Sequence, residues 1–179
     1  MLNAGEPLYT YEFAGYWKDV GTLQSLWEAN MELLLEDSPV KLNDNTWKIY
    51  ARNPNEPPGY NGPESEIKNS MVCEGSVING KVEHSVIFYG VHIGEGAVIK
   101  DSVILPNSVI GDGAIVEYSI IGQETKVGKG ARIGAAEEVA KAFCEPGKMT
   151  GYMAVLADEI KIGDGVIVKP GEMLDQDRV

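Results

Sequence analysis

The sequence predicts a mainly β fold, a parallel solenoid built from triangular coils of about 17 residues. Three observations predict it. One phrase recurs as Ile93-Gly94-Glu95-Gly96-Ala97, Ile110-Gly111-Asp112-Gly113-Ala114 and Val127-Gly128-Lys129-Gly130-Ala131, with starts 17 residues apart. A second phrase keeps step with it: Ser85-Val86-Ile87, Ser102-Val103-Ile104 and Ser119-Ile120-Ile121. The third observation is compositional, 21 glycines beside only 8% aromatic residues. A helix would need a 3.6-residue period, which these segments lack. Within each period the aliphatic anchors recur at intervals of 6, 5 and 6: Ile93, Ile99, Ile104, Ile110, then Val116, Ile121, Val127, Ile133. Three short strands joined by tight corners satisfy that division, and successive coils then stack at the ~4.8 Å strand spacing.

The elements follow in chain order. In residues 1–36, Tyr9, Tyr11 and Phe13 alternate like a strand. Leu23, Leu26, Trp27, Met31 and Leu34 then share one helical stripe, with Thr22 as N-cap and Asp37-Ser38-Pro39 ending the run. Residues 37–66 read as a connector, because Pro54, Pro57, Pro58 and Pro63, four of the nine prolines, cluster there. Trp47-Lys48-Ile49-Tyr50 is one strand-like piece within it. The solenoid is expected over 67–179, as about four to five coils. Ile93, Ile110 and Val127 should form one interior column, Ile99, Val116 and Ile133 a second, and Ile87, Ile104 and Ile121 a third.

A break is expected at about 135–153. Ala135 to Cys144 reads as a short helix ended by Pro146-Gly147. The phrases resume at Val155-Leu156 and Ile162-Gly163-Asp164-Gly165-Val166. The offset from Ile110 to Ile162 is 52, or 3 × 17 + 1, so the break stands in for about one coil and bulges from the stack or caps it. Asp175-Gln176-Asp177-Arg178 reads as a frayed polar tail.

Charge narrows the function. Twenty-seven acidic and 15 basic residues give a formal charge of −12, which disfavours nucleic acid and anionic membranes as partners. Two cysteines, Cys73 and Cys144, make neither a disulfide framework nor a metal cluster and read as packing residues. Met1 to Glu6 has no basic flank or apolar core, and no stretch approaches the ~20 apolar residues of a membrane helix. A cytoplasmic location is expected.

Two sets of residues carry a family resemblance. The repeats resemble the hexapeptide-repeat left-handed parallel β-helix, and the expected handedness comes from that likeness. Gly15-Tyr16-Trp17-Lys18-Asp19-Val20-Gly21-Thr22, followed by Leu26-Trp27-Glu28-Ala29-Asn30-Met31, is similar to a phrase of bacterial glucose-1-phosphate adenylyltransferase, also called ADP-glucose pyrophosphorylase. Asn69-Ser70-Met71-Val72, Glu74-Gly75 and Val91-His92-Ile93-Gly94-Glu95-Gly96-Ala97 match the opening of that family's β-helix. The resemblance covers roughly residues 5–134, and residues 135–179 depart from it.

The resemblance implies that residues 1–36 are the strand and helix ending a nucleotidyltransferase domain. It implies a parent enzyme that converts ATP and glucose 1-phosphate to ADP-glucose and pyrophosphate with Mg²⁺, in glycogen biosynthesis. It also implies a homo-oligomer controlled by a sugar-phosphate or nucleotide effector. Asp19 is then a metal carboxylate, and hard Mg²⁺ prefers oxygen ligands. Nothing in the sequence matches the family's glycine-rich, arginine-containing phosphate loop. The chain is therefore expected to be a C-terminal regulatory and assembly portion, inactive alone. Lys48, Arg52, Lys68 and Lys81, near the connector, are the candidates to pair with effector phosphates.

Two alternatives stand beside this reading. One is a hexapeptide-repeat acyltransferase, whose general base would have to be His84 or His92. His84 occupies a position filled by Asp101 and Tyr118 in the copies, which reads as an exposed corner. The other is a non-catalytic regulatory paralogue, against which the retention of Asp19 and Gly21-Thr22 argues. Tyr9, Tyr11, Phe13, Tyr16, Trp17, Leu26 and Trp27 would form an exposed apolar patch suited to assembly, unless they fold back on the β-helix.

Overall fold

A computed structural model describes residues 4–51 and 54–179. Three six-stranded parallel sheets form the faces of a triangular solenoid. The first face stacks Tyr60–Asn61, Val77–Ile78, His92–Ile93, Val109–Ile110, Lys126–Val127 and Lys161–Ile162. The second stacks Glu66–Lys68, Lys81–Glu83, Val98–Lys100, Ile115–Glu117, Arg132–Gly134 and Ile167–Val168. The third stacks Met71–Val72, Val86–Ile87, Val103–Ile104, Ser119–Ile121, Ala154–Leu156 and Met173–Leu174. This is the hexapeptide β-helix architecture. All three expected interior columns appear in register, and their members are almost entirely buried. Each face holds six strands, more than four or five coils provide, because the ladder begins at Tyr60, inside the proline-rich stretch.

The corners use three devices. The small side chains of Ala97, Ala114 and Ala131 are fully buried at one corner. Carboxylates clip coil to coil: Asp112 accepts from the Glu95 N–H at 3.2 Å and Asp164 from the Lys129 N–H at 2.7 Å. The corner between the second and third faces holds a serine ladder. Ser85, Ser102 and Ser119 each accept or donate along it: Ser102 N–H donates to Ser85 Oγ at 3.1 Å, and Ser119 N–H donates to Ser102 Oγ at 3.2 Å. Each hydroxyl donates in turn to a carbonyl two residues back, as Ser102 does to Lys100 at 2.7 Å. Ser102→Ala would leave a buried N–H of Ser119 unsatisfied. We expect it to lower the unfolding free energy by about 1–2 kcal/mol, read by denaturant titration.

Helix α1, Leu23–Glu32, begins at Thr22 with a reciprocal cap: Thr22 Oγ1 accepts from Ser25 N–H at 3.1 Å, and Ser25 Oγ accepts from Thr22 N–H at 3.0 Å. Its apolar stripe lies on the third face, where Met31, Val86, Val103, Tyr118, Ile120 and Val155 make a second core outside the solenoid. Leu23, Trp27 and Leu34 pack against that core. Leu26 and Trp27 are thus not part of the exposed patch: Trp27 packs on the outer core, and half-buried Leu26 borders a cavity with Leu105, Ile120 and Val155 of the third face. The third-face strands explain this. In Val103-Ile104 both neighbours are buried, although successive strand side chains point to opposite faces. Ile104 enters the interior and Val103 meets the outer core.

Three expectations are corrected. Tyr9 to Phe13 is not a strand, and those side chains are exposed: alternation alone does not make a ladder without a partner strand, and none of the described strands pairs there. Trp47 to Tyr50 is likewise irregular and exposed. The tail is not frayed, because Arg178 bridges in parallel to Ile162 and Asp177 accepts from the Lys161 N–H at 2.8 Å.

The break does bulge from the stack. Helix α2, Glu137–Phe143, lies in it, and Lys126–Val127 pairs directly with Lys161–Ile162 across it. The register steps by 35 from Val127 to Ile162, one 17-residue coil plus 18 residues that add no rung. Ala140 and Met153 join the outer core beside α1. The insert therefore lies against the third face.

Candidate functional site

Asp19 precedes the α1 N-cap by three residues and is exposed. Its strand of chain is tethered to the far end of α1. Lys18 Nζ lies 2.5 Å from Glu32 and 3.4 Å from Glu28, and the Tyr16 hydroxyl donates to the same Glu32 carboxylate. The hydrogen bond that Lys18 donates to Glu32 holds the Glu32 carboxyl below its ordinary range and raises the Lys18 ammonium above its own. The phrase around Asp19 thus folds back along the helix that follows it.

A Mg²⁺ ion needs several oxygen ligands. Among the described residues no group of three or more His, Cys, Asp or Glu is placed to hold a metal. Asp19 supplies one carboxylate, so the described residues by themselves do not fit a Mg²⁺ site.

The effector candidates divide. Lys68 and Lys81 come together on neighbouring rungs of the second face, sharing Glu66 at 2.5 Å and 3.2 Å. The two ammonium groups, Lys68 first, hold Glu66 below the ordinary carboxylate range. Lys81 also borders a cavity of about 440 Å³ with Asn79, Glu64 and Glu95. Lys48 is exposed in the stretch 41–51 and does not belong to that pair. Arg52 lies outside the described residues.

The histidines of the acyltransferase alternative are placed as follows. His92 points outward from the first face and is exposed. His84 has φ +44°, and its Nδ1 lies 2.7 Å from Asp101 Oδ1. A cavity of about 280 Å³ beside it is lined by Lys18, Trp27, Glu28, Met31, Glu32 and Leu35, with no hydroxyl or thiol nucleophile. Of the cysteines, Cys144 Sγ donates to the Ala140 carbonyl at 3.0 Å, and burial pushes the Cys73 thiol up, away from nucleophilic reactivity.

The residue that sequence reasoning missed is Tyr118. Asn69, His84, Asp101 and Tyr118 all adopt positive φ at one corner, between 40° and 48°. The backbone is common, but exposure is not: Tyr118 is 4% exposed, not at an open corner, because α1 covers it. Trp27 meets its ring edge to face, centroids 5.0 Å apart at 84°, and donates Nε1–H to the Asp101 carbonyl at 2.8 Å. Burial, and the Glu137 carboxylate of α2 beside it, push the Tyr118 hydroxyl up to about 12. The doubled aliphatics of the Ser-Val-Ile phrase were the available signal that something covers this face.

Two family models match separate stretches of the chain. The family described as GlmU-like, C-terminal hexapeptide matches residues 58–145, and the nucleotidyl transferase family matches residues 1–36. Glucose-1-phosphate adenylyltransferase of Clostridium perfringens is 53% identical over 102 residues, covering 57% of this chain and 26% of that enzyme. The enzymes of Clostridium beijerinckii and Bacillus cereus are 52% and 51% identical over the same length, covering 26% and 27% of their own chains. The chain thus spans about a quarter of the length of the curated relatives it matches. Over more than half of its own length, this chain is similar to the glucose-1-phosphate adenylyltransferases of Clostridium and Bacillus.

Proposed function

We propose that the chain is the regulatory and assembly region of a glucose-1-phosphate adenylyltransferase, which makes ADP-glucose and pyrophosphate from ATP and glucose 1-phosphate in glycogen synthesis. The observation that carries this reading is the junction: a nucleotidyl-transferase-like segment ending in α1 packs onto the third face of a hexapeptide solenoid. The solenoid would supply subunit contacts and a rigid mount for the helix. Asp19 would contribute one carboxylate to a Mg²⁺ site completed by residues outside this chain; the ion would neutralise charge on the transferring phosphate. Lys68 and Lys81, with Lys48 and Arg52, would receive the phosphate groups of a sugar-phosphate or nucleotide effector. Exposed Tyr9, Tyr11, Phe13, Tyr16 and Trp17 support further packing against the rest of the enzyme or its oligomer. The enzyme would work in the cytoplasm. Among the described residues no helix is long and apolar enough to cross a membrane.

The test has two arms. The 179-residue chain with ATP, glucose 1-phosphate and Mg²⁺ is expected to release no pyrophosphate above background. A chimera in which it replaces the matching region of the Clostridium perfringens enzyme is expected to make ADP-glucose. Asp19→Asn in that chimera should lower kcat by about 100-fold or more, since metal charge stabilisation contributes several kcal/mol. Turnover by the isolated chain, or a folded chimera without turnover, would overturn the reading.

A further inference from the structure

Tyr118 stands where three parts of the molecule meet. Its backbone belongs to the solenoid corner, one side of its ring faces Trp27 of α1, and its hydroxyl faces Glu137 of α2. The insert touches α1 directly as well. The carbonyl of Met149 accepts from the Gln24 N–H at 3.0 Å, one of the first-turn donors that no intrahelical carbonyl can satisfy. A Cβ on Gly151 would lie 2.8 Å from Gln24 Oε1, so the two segments are in close approach. Ala140 and Met153, both fully buried, complete the outer core that Met31 enters from α1.

We propose that α1 and the insert 135–153 dock on the third face as one cooperative unit, a latch with Tyr118 as its positioning residue, and that this latch sets where Asp19 stands relative to the solenoid. The part concerning Asp19 rests on the adenylyltransferase reading; the latch itself does not. The solenoid interior is a separate core of buried aliphatics. The latch can therefore open without disturbing the stacked coils, because local units of a protein open with their own free energies. Asp19 is joined to α1 by Val20, Gly21 and the Thr22 cap, and to its last turn through Lys18 and Glu32. Loosening the insert removes the Met149 cap and one wall of the outer core, so the helix and the Asp19 phrase loosen with it. Coupling of this kind is reciprocal: whatever loosens α1 loosens the insert by the same factor.

Hydrogen exchange on the 179-residue chain, followed by mass spectrometry, reads this directly. Trp27→Ala perturbs the latch from the α1 side. Tyr118→Phe perturbs it from the insert side, keeping the ring against Trp27 and removing the hydroxyl that faces Glu137. Each variant is expected to raise exchange by a similar factor, about tenfold or more for Trp27→Ala, in peptides covering both 23–32 and 137–153. Exchange in strands Val98–Lys100 and Ile115–Glu117 is expected to stay at the wild-type rate. A rise confined to the mutated side would overturn the coupling. A rise that spreads to those strands would overturn the separate latch. Neither result depends on what Asp19 binds, and the chimera assay above tests that independently.

Discussion

Ile104→Ala is expected to lower the unfolding free energy by about 2–5 kcal/mol, measured by denaturant titration of the 179-residue chain. Ile104 is fully buried in the third-face column, with Ile87 below it and Ile121 above. Removing three carbons there takes away apolar burial and leaves a void. The void closes poorly because the flanking strands are held at a fixed spacing by their ladder hydrogen bonds. Val103→Ala, one residue earlier, removes contacts from the outer core instead. The two variants should differ in kind. Ile104→Ala should destabilise the coils themselves, whereas Val103→Ala should loosen α1 first.

Gly128→Ala is expected to cost at least as much as the upper end of the ~1–3 kcal/mol typical of overpacking. A Cβ there would lie 2.5 Å from the Asp164 nitrogen and 2.5 Å from the Gly163 carbonyl carbon, both backbone atoms of the next coil. Those atoms cannot rotate away as a side chain can, and the contact is braced by the Asp164–Lys129 bond. Gly130→Ala makes the same chemical change two residues later and should cost only about 1–2 kcal/mol. Gly130 has φ +63° and open space around its Cβ position, so the cost there is conformational. Paired thermal melts give the check: a larger drop in melting temperature for Gly130→Ala than for Gly128→Ala would contradict this division of roles.

The solenoid was legible because stacking in register repeats an environment as well as a sequence. Ile93, Ile110 and Val127 meet the same neighbours above, below and across, so one physical demand is written three times. Tyr118 was illegible for the complementary reason. Its column mates share its backbone conformation, but α1, about ninety positions away in sequence, determines which member is covered. The alternation of Tyr9, Tyr11 and Phe13 was a true pattern that lacked a partner strand among the described residues. Asp19 could be found only through its phrase, since one exposed carboxylate carries no local mark of a role. The 15-residue step of the first coils sets Lys81 beside Glu66, which Lys68 meets from the same strand, whereas nothing in the spacing linked Lys48 to them.

The insert leaves the stack after Gly134 and rejoins it at Ala154, with the strands on either side in direct register. Such a corner tolerates changes in length cheaply, since lengthening a closed loop costs free energy only logarithmically. The coils thus read the chain by height rather than by residue count. The same corner can shed or gain sequence while every rung stays where it is. Selection acting on the length and contents of that one loop can retune how firmly the helix is held without rebuilding the scaffold that holds it.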